Sequence, residues 1–435
     1  MWVSGDEGFA EEVSGYNLAT ILAPAIIVGA TSGEDVAAAV RFAVAEGLPV
    51  AVQATGHGAF VPAQDSLLIS TKRMTKVSVD AYARVARVQA GVRWSQVIDA
   101  AAPHGLAPIN GSSPLVGVVG FTLGGGMGPL SRKFGFAADQ VRKISFVAAD
   151  GVERTVDQDT NPDLFWAMLG GKGNFGIVTE LEFALFPVAR IYGGGIFYPA
   201  EVAAPVLRAY VDWAETLPEA TTTSLAFLRL PPLPELPESL RGKFVVHLRV
   251  AHVGPADEGE RLLSPMRAVA DSLIDSVRDM PYSEVGSIHQ DPVDPNAYWE
   301  SGTLLGPLPS QAVDTILEAV GPTADLVLQL FELRQMGGAL HDAPAFANAV
   351  GGRDAKFSVL LITGTGGGLE AGRILEALAP FGTGNSLLNF QGNASTPEQV
   401  ARAWSPEVYA RLRAIKRAHD PSNVFRFGHN IPPAD

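Results

Sequence analysis

The stretch DLFWAMLGGKGNFGIVT (residues 163–179) is the most distinctive part of the chain. Its centre, Gly170 to Gly176, is rich in glycine and runs into an apolar segment over 178–186 that predicts a strand. Glycine lets backbone N–H groups approach a phosphate closely and adopts positive φ angles without a steric penalty. The stretch therefore predicts a glycine-rich loop before a strand, a place where an anionic ligand can bind.

Two further segments have the same character, ATGHGA (residues 54–59) and GVVGFTLGGGMG (residues 117–128). One such cluster is most often an ordinary turn, but three in one third of the chain favour a large anionic ligand. No Lys-Ser or Lys-Thr follows a glycine-rich loop, and no Gly-x-Gly-x-x-Gly opens a helix after the first strand. Phosphate-loop enzymes and Rossmann-type nicotinamide enzymes are therefore disfavoured.

Strands and helices alternate in the sequence around these loops. Thr31 and Ser32 have the chemistry of a helix N-cap, and Val36, Val40 and Val44 lie on one face of the helix that follows. In the first part of the chain we expect strands at 25–28, 50–52, 66–70, 86–90, 143–149 and 178–186, with helices at 36–45 and 94–102.

The middle of the chain predicts a second α+β unit, a mostly antiparallel sheet with helices on one face. We expect strands at 222–230, 243–252, 325–333 and 356–363, with helices at 201–217, 257–276, 310–320 and 369–378. A last helix is expected at 406–418. These patterns divide the chain into a first domain (1–188), a second domain (189–395) and a C-terminal segment (396–435) that returns to the first.

Composition narrows the function. The chain has 435 residues, a formal net charge of −14, no cysteine, and 47% hydrophobic against 18% charged residues. The acidic balance argues against nucleic acid and anionic membrane partners, and the absence of cysteine excludes disulfides and thiolate metal sites. The eight histidines lack metal-ligand spacing, so we expect no metal. No membrane span or signal peptide is apparent, and a cytoplasmic protein is expected.

Four segments together resemble the berberine-bridge-enzyme-like branch of the vanillyl-alcohol-oxidase flavoprotein family. They are VQATGHG (52–58), GSSPLVG (111–117), the stretch at 163–179, and HDPSNVF (419–425) with NIPP (430–433). The resemblance implies an α+β fold with a two-part FAD-binding domain of the vanillyl-alcohol-oxidase type. A substrate domain, with an antiparallel sheet backed by helices, would complete it.

The resemblance also implies site residues. His57 matches the family histidine that bonds covalently to the 8α-methyl group of FAD, which raises the flavin potential. The implied FAD-binding residues are Thr55, Gly56, His57, Gly58, Ala59, Ser112, Ser113, Val116, Gly117, Gly120, Gly124, Gly125, Gly126, Gly173, Gly176, Ile177 and Asn430.

The sequence departs from the family pattern at four places. Ser113 stands where many relatives have a second, cysteine attachment to the flavin, so a single attachment is expected. Met127 replaces a tyrosine, Leu387-Leu388-Asn389-Phe390 replaces a Tyr-x-Asn-Tyr motif, and the strand with Phe357-Ser358-Val359-Leu360 lacks the usual Lys, Gln or Glu. Each change removes a proton-handling group. We therefore expect a largely apolar substrate side.

Seven polar residues are candidates for the chemistry at the substrate side. For each of them, a structural role is more common than a catalytic one. They are Tyr192, Arg229, His247, Gln329, Glu332, Arg334 and Gln391. Gln329, Glu332 and Gln391 are the expected catalytic residues, although Glu332 and Arg334 alternate on one strand face and can simply pair with each other.

The expected function is an FAD-dependent oxidase that takes hydride from a hydrophobic small molecule, such as a secondary metabolite. Val116 occupies the family position at which a valine accompanies reaction with O₂, so O₂ is the expected electron acceptor. Two alternatives remain open: rearrangement of a hydrophobic natural product without net redox change, and a dehydrogenase with a quinone or protein acceptor. The sequence leaves the oligomeric state open.

Overall fold

The computed structural model of the protein describes residues 1–58, 61–392, 394 and 396–435. Three β-sheets form its frame. The strands are β1 (Trp2–Val3), β2 (Ile26–Gly29), β3 (Val50–Gln53), β4 (Leu67–Ser70), β5 (Val77–Asp80), β6 (Val85–Gln89), β7 (Val141–Val147), β8 (Glu153–Val156), β9 (Ile177–Ala184), β10 (Arg190–Pro199), β11 (Thr221–Arg229), β12 (Phe244–His252), β13 (Ile274–Asp275), β14 (Arg278–Pro281), β15 (Trp299–Leu305), β16 (Leu328–Gln335) and β17 (Phe357–Thr363).

Helices lie between these strands along the chain. They are α1 (Phe9–Val13), α2 (Gly33–Ala45), α3 (Trp94–Ala101), α4 (Val118–Leu123), α5 (Ser131–Phe134), α6 (Pro162–Gly171), α7 (Ala203–Glu215), α8 (Ala256–Arg267), α9 (Ser310–Val320), α10 (Gly368–Leu378), α11 (Pro397–Ala401) and α12 (Pro406–His419). Of the helices described, none combines the length and apolarity needed to cross a bilayer.

The first sheet has the order β1-β2-β4-β3, with β2 and β3 both parallel to β4. Helix α2 connects β2 to β3, as a crossover between parallel strands requires. Its N-terminus carries a capping box, because Ser32 accepts a hydrogen bond from the Asp35 amide and Asp35 accepts one from Ser32. Val36 and Val40 of α2 are fully buried against this sheet.

The second sheet is antiparallel, with the order β5-β6-β9-β7-β8. The distinctive stretch at 163–179 forms helix α6, a kink and the start of β9. The kink falls at Gly170, whose φ of +113° is in the region that favours glycine. A Cβ there would also lie 2.4 Å from the backbone of Ala349.

The third sheet contains eight antiparallel strands in the order β13-β10-β12-β11-β16-β17-β15, with β14 also paired to β10. Its two faces differ because side chains alternate along each strand. One face carries apolar residues such as Leu225, Phe331 and Leu361 and packs against α7, α9 and α10. The opposite face carries polar residues, among them Arg249 and Glu332, and turns toward a large cavity.

The C-terminal segment is fastened to the distinctive stretch by a buried lysine. Lys416 of α12 is fully buried, and its Nζ donates to the carbonyl of Asn174 at 2.6 Å and to Asp420 Oδ2 at 2.7 Å. Asn174 Oδ1 in turn accepts a hydrogen bond of 2.8 Å from the amide of Ile431. Residues far apart in sequence thus form one polar network beside the cavity.

The expected α+β class is confirmed, as is the antiparallel middle sheet with its helices. Most of the expected elements are present with end shifts of one to three residues. Two expectations are wrong. The helix expected over 257–276 ends at Arg267 and is followed by β13, and several strands, including β5, β8, β10 and β15, were not expected. Strand β10 contains Gly193, Gly194 and Gly195, a run that hides the usual strand pattern.

Candidate active site

A cavity of about 1210 Å³ is lined by all three glycine-rich segments and by the polar face of the third sheet. Its volume exceeds the ~300–1,000 Å³ typical of pockets for one drug-sized ligand. The space therefore suits a large ligand together with a smaller one.

His57 lines this cavity and is held from two sides. Its Nδ1 shares a hydrogen bond of 2.8 Å with Thr55 Oγ1, and its ring stacks on Tyr16 with centroids 4.0 Å apart. Burial, assisted by the charge of Arg93, lowers the pKa of His57 to about 4. The imidazole is thus neutral at pH 7, and its buried Nε2 has no hydrogen-bond partner among the described residues.

The loop that carries His57 approaches another part of the backbone closely. A Cβ on Gly56, whose φ is +72°, would lie 2.5 Å from the Cα of Gly15, so this position requires glycine. Gly120 and Gly173 also line the cavity, and nothing lies within 4 Å of where their Cβ atoms would be. These glycines leave backbone exposed to a ligand, as a pyrophosphate cradle requires.

Most of the residues implied for FAD binding are brought together in this cavity. The cavity-lining members of the predicted set are Thr55, Gly56, His57, Gly58, Ser112, Ser113, Val116, Gly117, Gly120, Gly173, Gly176 and Ile177. Ala59 lies outside the described residues. Gly124, Gly125, Gly126 and Asn430 do not line the cavity, and their expected contact with FAD stays a prediction.

The three consecutive glycines pack closely against neighbouring side chains. A Cβ on Gly124 would lie 2.0 Å from Asn389 Oδ1 and 2.8 Å from the Cε of Lys172. Gly126 has a φ of +77°, and its Cβ would lie 2.5 Å from the ring of Phe121. Phe121, Asn389 and Lys172 themselves line the cavity. By allowing these side chains to pack closely, the glycines help to position the cavity wall. Asn430 is replaced in the cavity wall by its neighbour His429.

The substrate side that the sequence predicts to be largely apolar also contains a buried charged cluster. Glu332 is fully buried on β16 and lines the cavity, where it accepts hydrogen bonds from Ser224 at 2.7 Å, Arg249 at 2.6 Å and Arg334 at 2.8 Å. The strand register explains this cluster, because Ser224 of β11 is paired with Arg249 of β12 on one side and with Arg334 of β16 on the other. Leu330, Leu360, Ile362, Phe390 and Met127 supply the apolar part of the wall.

The Glu332 carboxylate is held in its ionised form. Burial alone would raise its pKa, but Arg334 and Arg249 together lower it far below the ordinary value. Such a carboxylate is a poor proton acceptor. Glu332 thus has the geometry of a group that orients two arginines, and the expected pairing of Glu332 with Arg334 is confirmed.

Two histidines complete the surroundings of this cluster and are both uncharged. His247 Nδ1 accepts a hydrogen bond of 3.1 Å from Arg249 Nε, and burial followed by the charge of Arg249 lowers the His247 pKa well below its usual range. Burial and Arg249 likewise lower the pKa of His289 to about 3. His289 Nε2 lies 3.7 Å from Glu332 Oε1.

Two further ionisable side chains, Lys172 and Glu300, line the same cavity. Burial raises the pKa of Glu300 to about 7, while Lys172 and Arg334 oppose this shift. Burial lowers the pKa of Lys172 to about 8, and Glu300 opposes that shift. Two residues before Glu300, Tyr298 donates a hydrogen bond from its hydroxyl to the carbonyl of His57 at 3.1 Å. Glu300, whose pKa burial raises to about 7, thus lies two residues along the chain from the tyrosine that contacts the His57 carbonyl.

The remaining candidates from the sequence divide into two groups. Gln329 and Arg229 line the cavity. Arg229 donates hydrogen bonds to the carbonyl of Val320, the last residue of α9, and to two carbonyls that follow this helix. Gln391 does not line the cavity: its amide donates to Ser386 Oγ and to two carbonyls of α11, and its expected catalytic role stays a prediction. Tyr192 lies outside the cavity and bonds to Glu260 and Arg267.

Sequence reasoning missed Arg249, Lys172 and Glu300. Lys172 has a φ of +53°, a conformation that is uncommon for residues other than glycine, within a run of glycines. The lysine within this run of glycines was the one sequence feature that could have marked Lys172 as a residue of the site. Glu300 carried none, since β15 itself was not recognised.

Comparisons with known proteins agree with this geometry. Residues 24–157 match the family model of an FAD binding domain, and residues 388–432 match the family "Berberine and berberine like". (R)-6-hydroxynicotine oxidase of Paenarthrobacter nicotinovorans is 28% identical over 98% of this chain and 95% of that protein. The FAD-linked oxidoreductase hasG of Aspergillus fumigatus is 38% identical over 42% of this chain and 41% of its own length.

Solved structures show the same fold. The crystal structure of 6-hydroxy-D-nicotine oxidase from Arthrobacter nicotinovorans superimposes with a TM-score of 0.84 at 26% identity, covering 100% of this chain and 97% of that one. BBE-like 1 of Physcomitrella patens gives a TM-score of 0.86 at 20% identity, covering 100% and 96%. Together with the glycine-lined cavity around His57, these matches support a berberine-bridge-enzyme-like flavoprotein of the vanillyl-alcohol-oxidase type, and the chain is an FAD-linked oxidoreductase.

Proposed function

We propose that this protein is an oxidase that takes hydride from a small organic molecule onto FAD bonded once, through His57, and passes the electrons to O₂. The observation that carries the proposal is the His57 imidazole, neutral and with an unpartnered Nε2, in a cavity lined by three glycine-rich segments. When bound, FAD supplies a hydride acceptor that O₂ can reoxidise.

The residues present fit the cofactor. His57 would hold the flavin ring, and the backbone around Gly56 and Gly120 would face its phosphate and ribityl groups. Ser113 lines the same cavity, and a serine hydroxyl cannot form the thioether that a cysteine would give. A single covalent bond is therefore the proposed attachment.

Glu300 is the proposed proton acceptor for the substrate. Hydride removal from an alcohol or an amine requires that its O–H or N–H proton leave as well. With a pKa of about 7, Glu300 is the acidic side chain of the cavity best able to take that proton near neutral pH. Glu332 and Gln329 contact the same space but have no comparable basicity: the first is held ionised by two arginines, and the second is an amide.

The substrate would have an apolar body. Leu330, Leu360, Ile362 and Phe390 form a continuous part of the wall beside the charged groups, and an apolar wall of this kind suits a flat or bulky hydrophobic skeleton such as that of a secondary metabolite.

Two experiments on the purified holoprotein separate the proposal from its alternatives. First, the flavin is reduced anaerobically with light and a sacrificial donor and then mixed with air-saturated buffer. Reoxidation within seconds is the result expected of an oxidase, whereas reoxidation over many minutes would favour a dehydrogenase.

Second, a panel of aromatic alcohols and amines is mixed anaerobically with the oxidised protein. Bleaching of the flavin band supports hydride transfer, and product without bleaching would overturn it in favour of a rearrangement.

A further inference from the structure

Two buried arginines that line the cavity have terminal nitrogens without a hydrogen-bond partner among the described residues. Arg334 is 8% exposed; its Nε donates to Glu332, its guanidinium lies 5.0 Å from the centroid of the Phe390 ring, and its two terminal nitrogens have no partner among the described residues. Arg249 is 3% exposed and donates hydrogen bonds to His247 and Glu332. Its second terminal nitrogen has no partner among the residues that the structure describes. We call the surface formed by Arg249, Arg334, Glu332 and Phe390 the arginine pocket.

The arginine pocket has an excess of positive charge. It contains two guanidinium groups and one carboxylate, and the neighbouring His247 and His289 are neutral. A buried charge that lacks a counter-ion is unfavourable, and an anion that enters the site relieves this cost. Four other carboxyl groups line the cavity. Glu235 and Asp294 are exposed to water and Asp291 is partly exposed, which screens their repulsion toward an entering anion, and Glu300, with its pKa raised to about 7, carries only part of a charge near neutral pH.

The shape of the free groups selects among anions. A guanidinium presents parallel N–H donors that match the two oxygens of a carboxylate. Leu330, Leu360 and Phe390 lie beside these donors and offer an apolar surface to the rest of the ligand. The pocket thus combines a fork for a carboxylate with a wall for a hydrophobic skeleton.

We propose that the arginine pocket binds a carboxylate of the substrate, so that the alcohols or amines this enzyme oxidises are hydrophobic organic acids rather than molecules that lack a carboxylate. This proposal rests on the proposed oxidase function and specifies its substrate class. Glu332 is then a positioning residue that fixes both arginines, and Arg334 is the residue that determines specificity.

The test uses three probes of nearly equal size with the purified holoprotein: benzoate, benzamide and benzylamine, which is cationic at pH 7.5. Binding is followed by the change in the visible flavin spectrum and by calorimetry. Benzoate should bind about 10- to 100-fold more tightly than benzamide, as a hydrogen-bonded charge pair predicts, and benzylamine should not reach saturation in the same range. Equal affinities for the three probes, or a preference for benzylamine, would overturn the proposal.

Variants locate the effect. Arg334→Gln should weaken benzoate binding about 10- to 100-fold while benzamide binding stays within about threefold, and Arg334→Lys should fall between, because it keeps the charge and loses the fork. Arg208→Gln, which removes an exposed ion pair with Asp314, is the matched control and should change neither. If Arg334→Gln shifts the flavin spectrum but leaves benzoate affinity intact, the arginine serves the cofactor and the proposal is wrong.

The outcomes also separate this inference from the proposed function. A protein that carries flavin on His57 and reoxidises rapidly in air, yet shows no preference for benzoate, contradicts the substrate class alone. A protein that prefers benzoate but carries no flavin on His57 contradicts the attachment and leaves the arginine pocket intact. Should Arg334→Gln fail to fold, the Arg334→Lys variant and the wild-type probe series still decide.

Discussion

Replacing Glu300 with glutamine removes the proposed proton acceptor while preserving the size of the side chain. Because burial raises the pKa of Glu300 to about 7, the ionised fraction rises from about one tenth at pH 6 to about nine tenths at pH 8. The rate of flavin reduction should therefore rise about tenfold between these two pH values and then level off. The sign follows from the role, since a base acts only when it has lost its proton.

The assay is anaerobic stopped-flow reduction of the flavin by a saturating substrate between pH 5.5 and 9. Glu300→Gln should lower the limiting rate about 10²–10⁴-fold, the usual effect of losing a general base, and should abolish the step near pH 7. Lys172→Met provides an independent check. Lys172 lowers the pKa of Glu300, so its removal should move the step to higher pH without abolishing it.

A control and a contrary result define the limits of this reasoning. Glu318→Gln, on the exposed face of α9 behind the sheet, should leave both the rate and the pH profile unchanged. If Glu300→Gln retained the wild-type rate with its step near pH 7, another group would be the base and the role given to Glu300 would be wrong.

Two further predictions concern stability. Glu332→Gln should lower the free energy of unfolding by about 3–5 kcal/mol, because it leaves two buried arginines without their carboxylate, whereas Ser224→Ala should cost no more than about 1.5–3 kcal/mol. Urea unfolding measures both, and equal small effects would refute the account of the cluster. Lys416→Met should likewise cost about 3–5 kcal/mol and speed hydrogen exchange around Asp420, since it breaks a fully buried ion pair. Arg208→Gln, an exposed pair, should stay within about 1 kcal/mol, and a similar loss in both variants would contradict this reasoning.

The sequence predicted those parts of the fold whose signals are local. The capping residues before α2 and the valines along it fixed that helix, and alternating apolar residues located the strands that face a helix layer. Strand β10 was not predicted, because Gly193 to Gly195 have no side chains that could alternate between apolar and polar. Two of these glycines are there for close contacts, since a Cβ on Gly195 would lie 2.1 Å from His247 Nε2 and one on Gly194 would lie 2.6 Å from a backbone carbonyl.

From the sequence, the lining of the cavity could be predicted only where a single continuous segment forms that part of the wall. The loops around His57 and Gly173 are such segments. The arginine pocket is assembled by the register of three strands, which places Arg249 and Arg334 on either side of Ser224, and no local pattern encodes that register. Gly124 and Gly126 illustrate a different point. The sequence indicated a need for close approach there, and in the structure the side chains of Asn389 and Phe121 approach them closely, while their expected contact with FAD stays a prediction.

The most direct test of the central claim is the chemical state of His57 in the purified protein. The protein is precipitated with acid, the pellet is washed and digested, and the peptides are examined by absorbance near 450 nm and by mass spectrometry. We predict that yellow colour stays in the pellet and that one FAD-sized mass addition maps to His57, and that His57→Ala releases all flavin to the supernatant. A colourless wild-type pellet, or a flavin attached to another residue, would contradict the account.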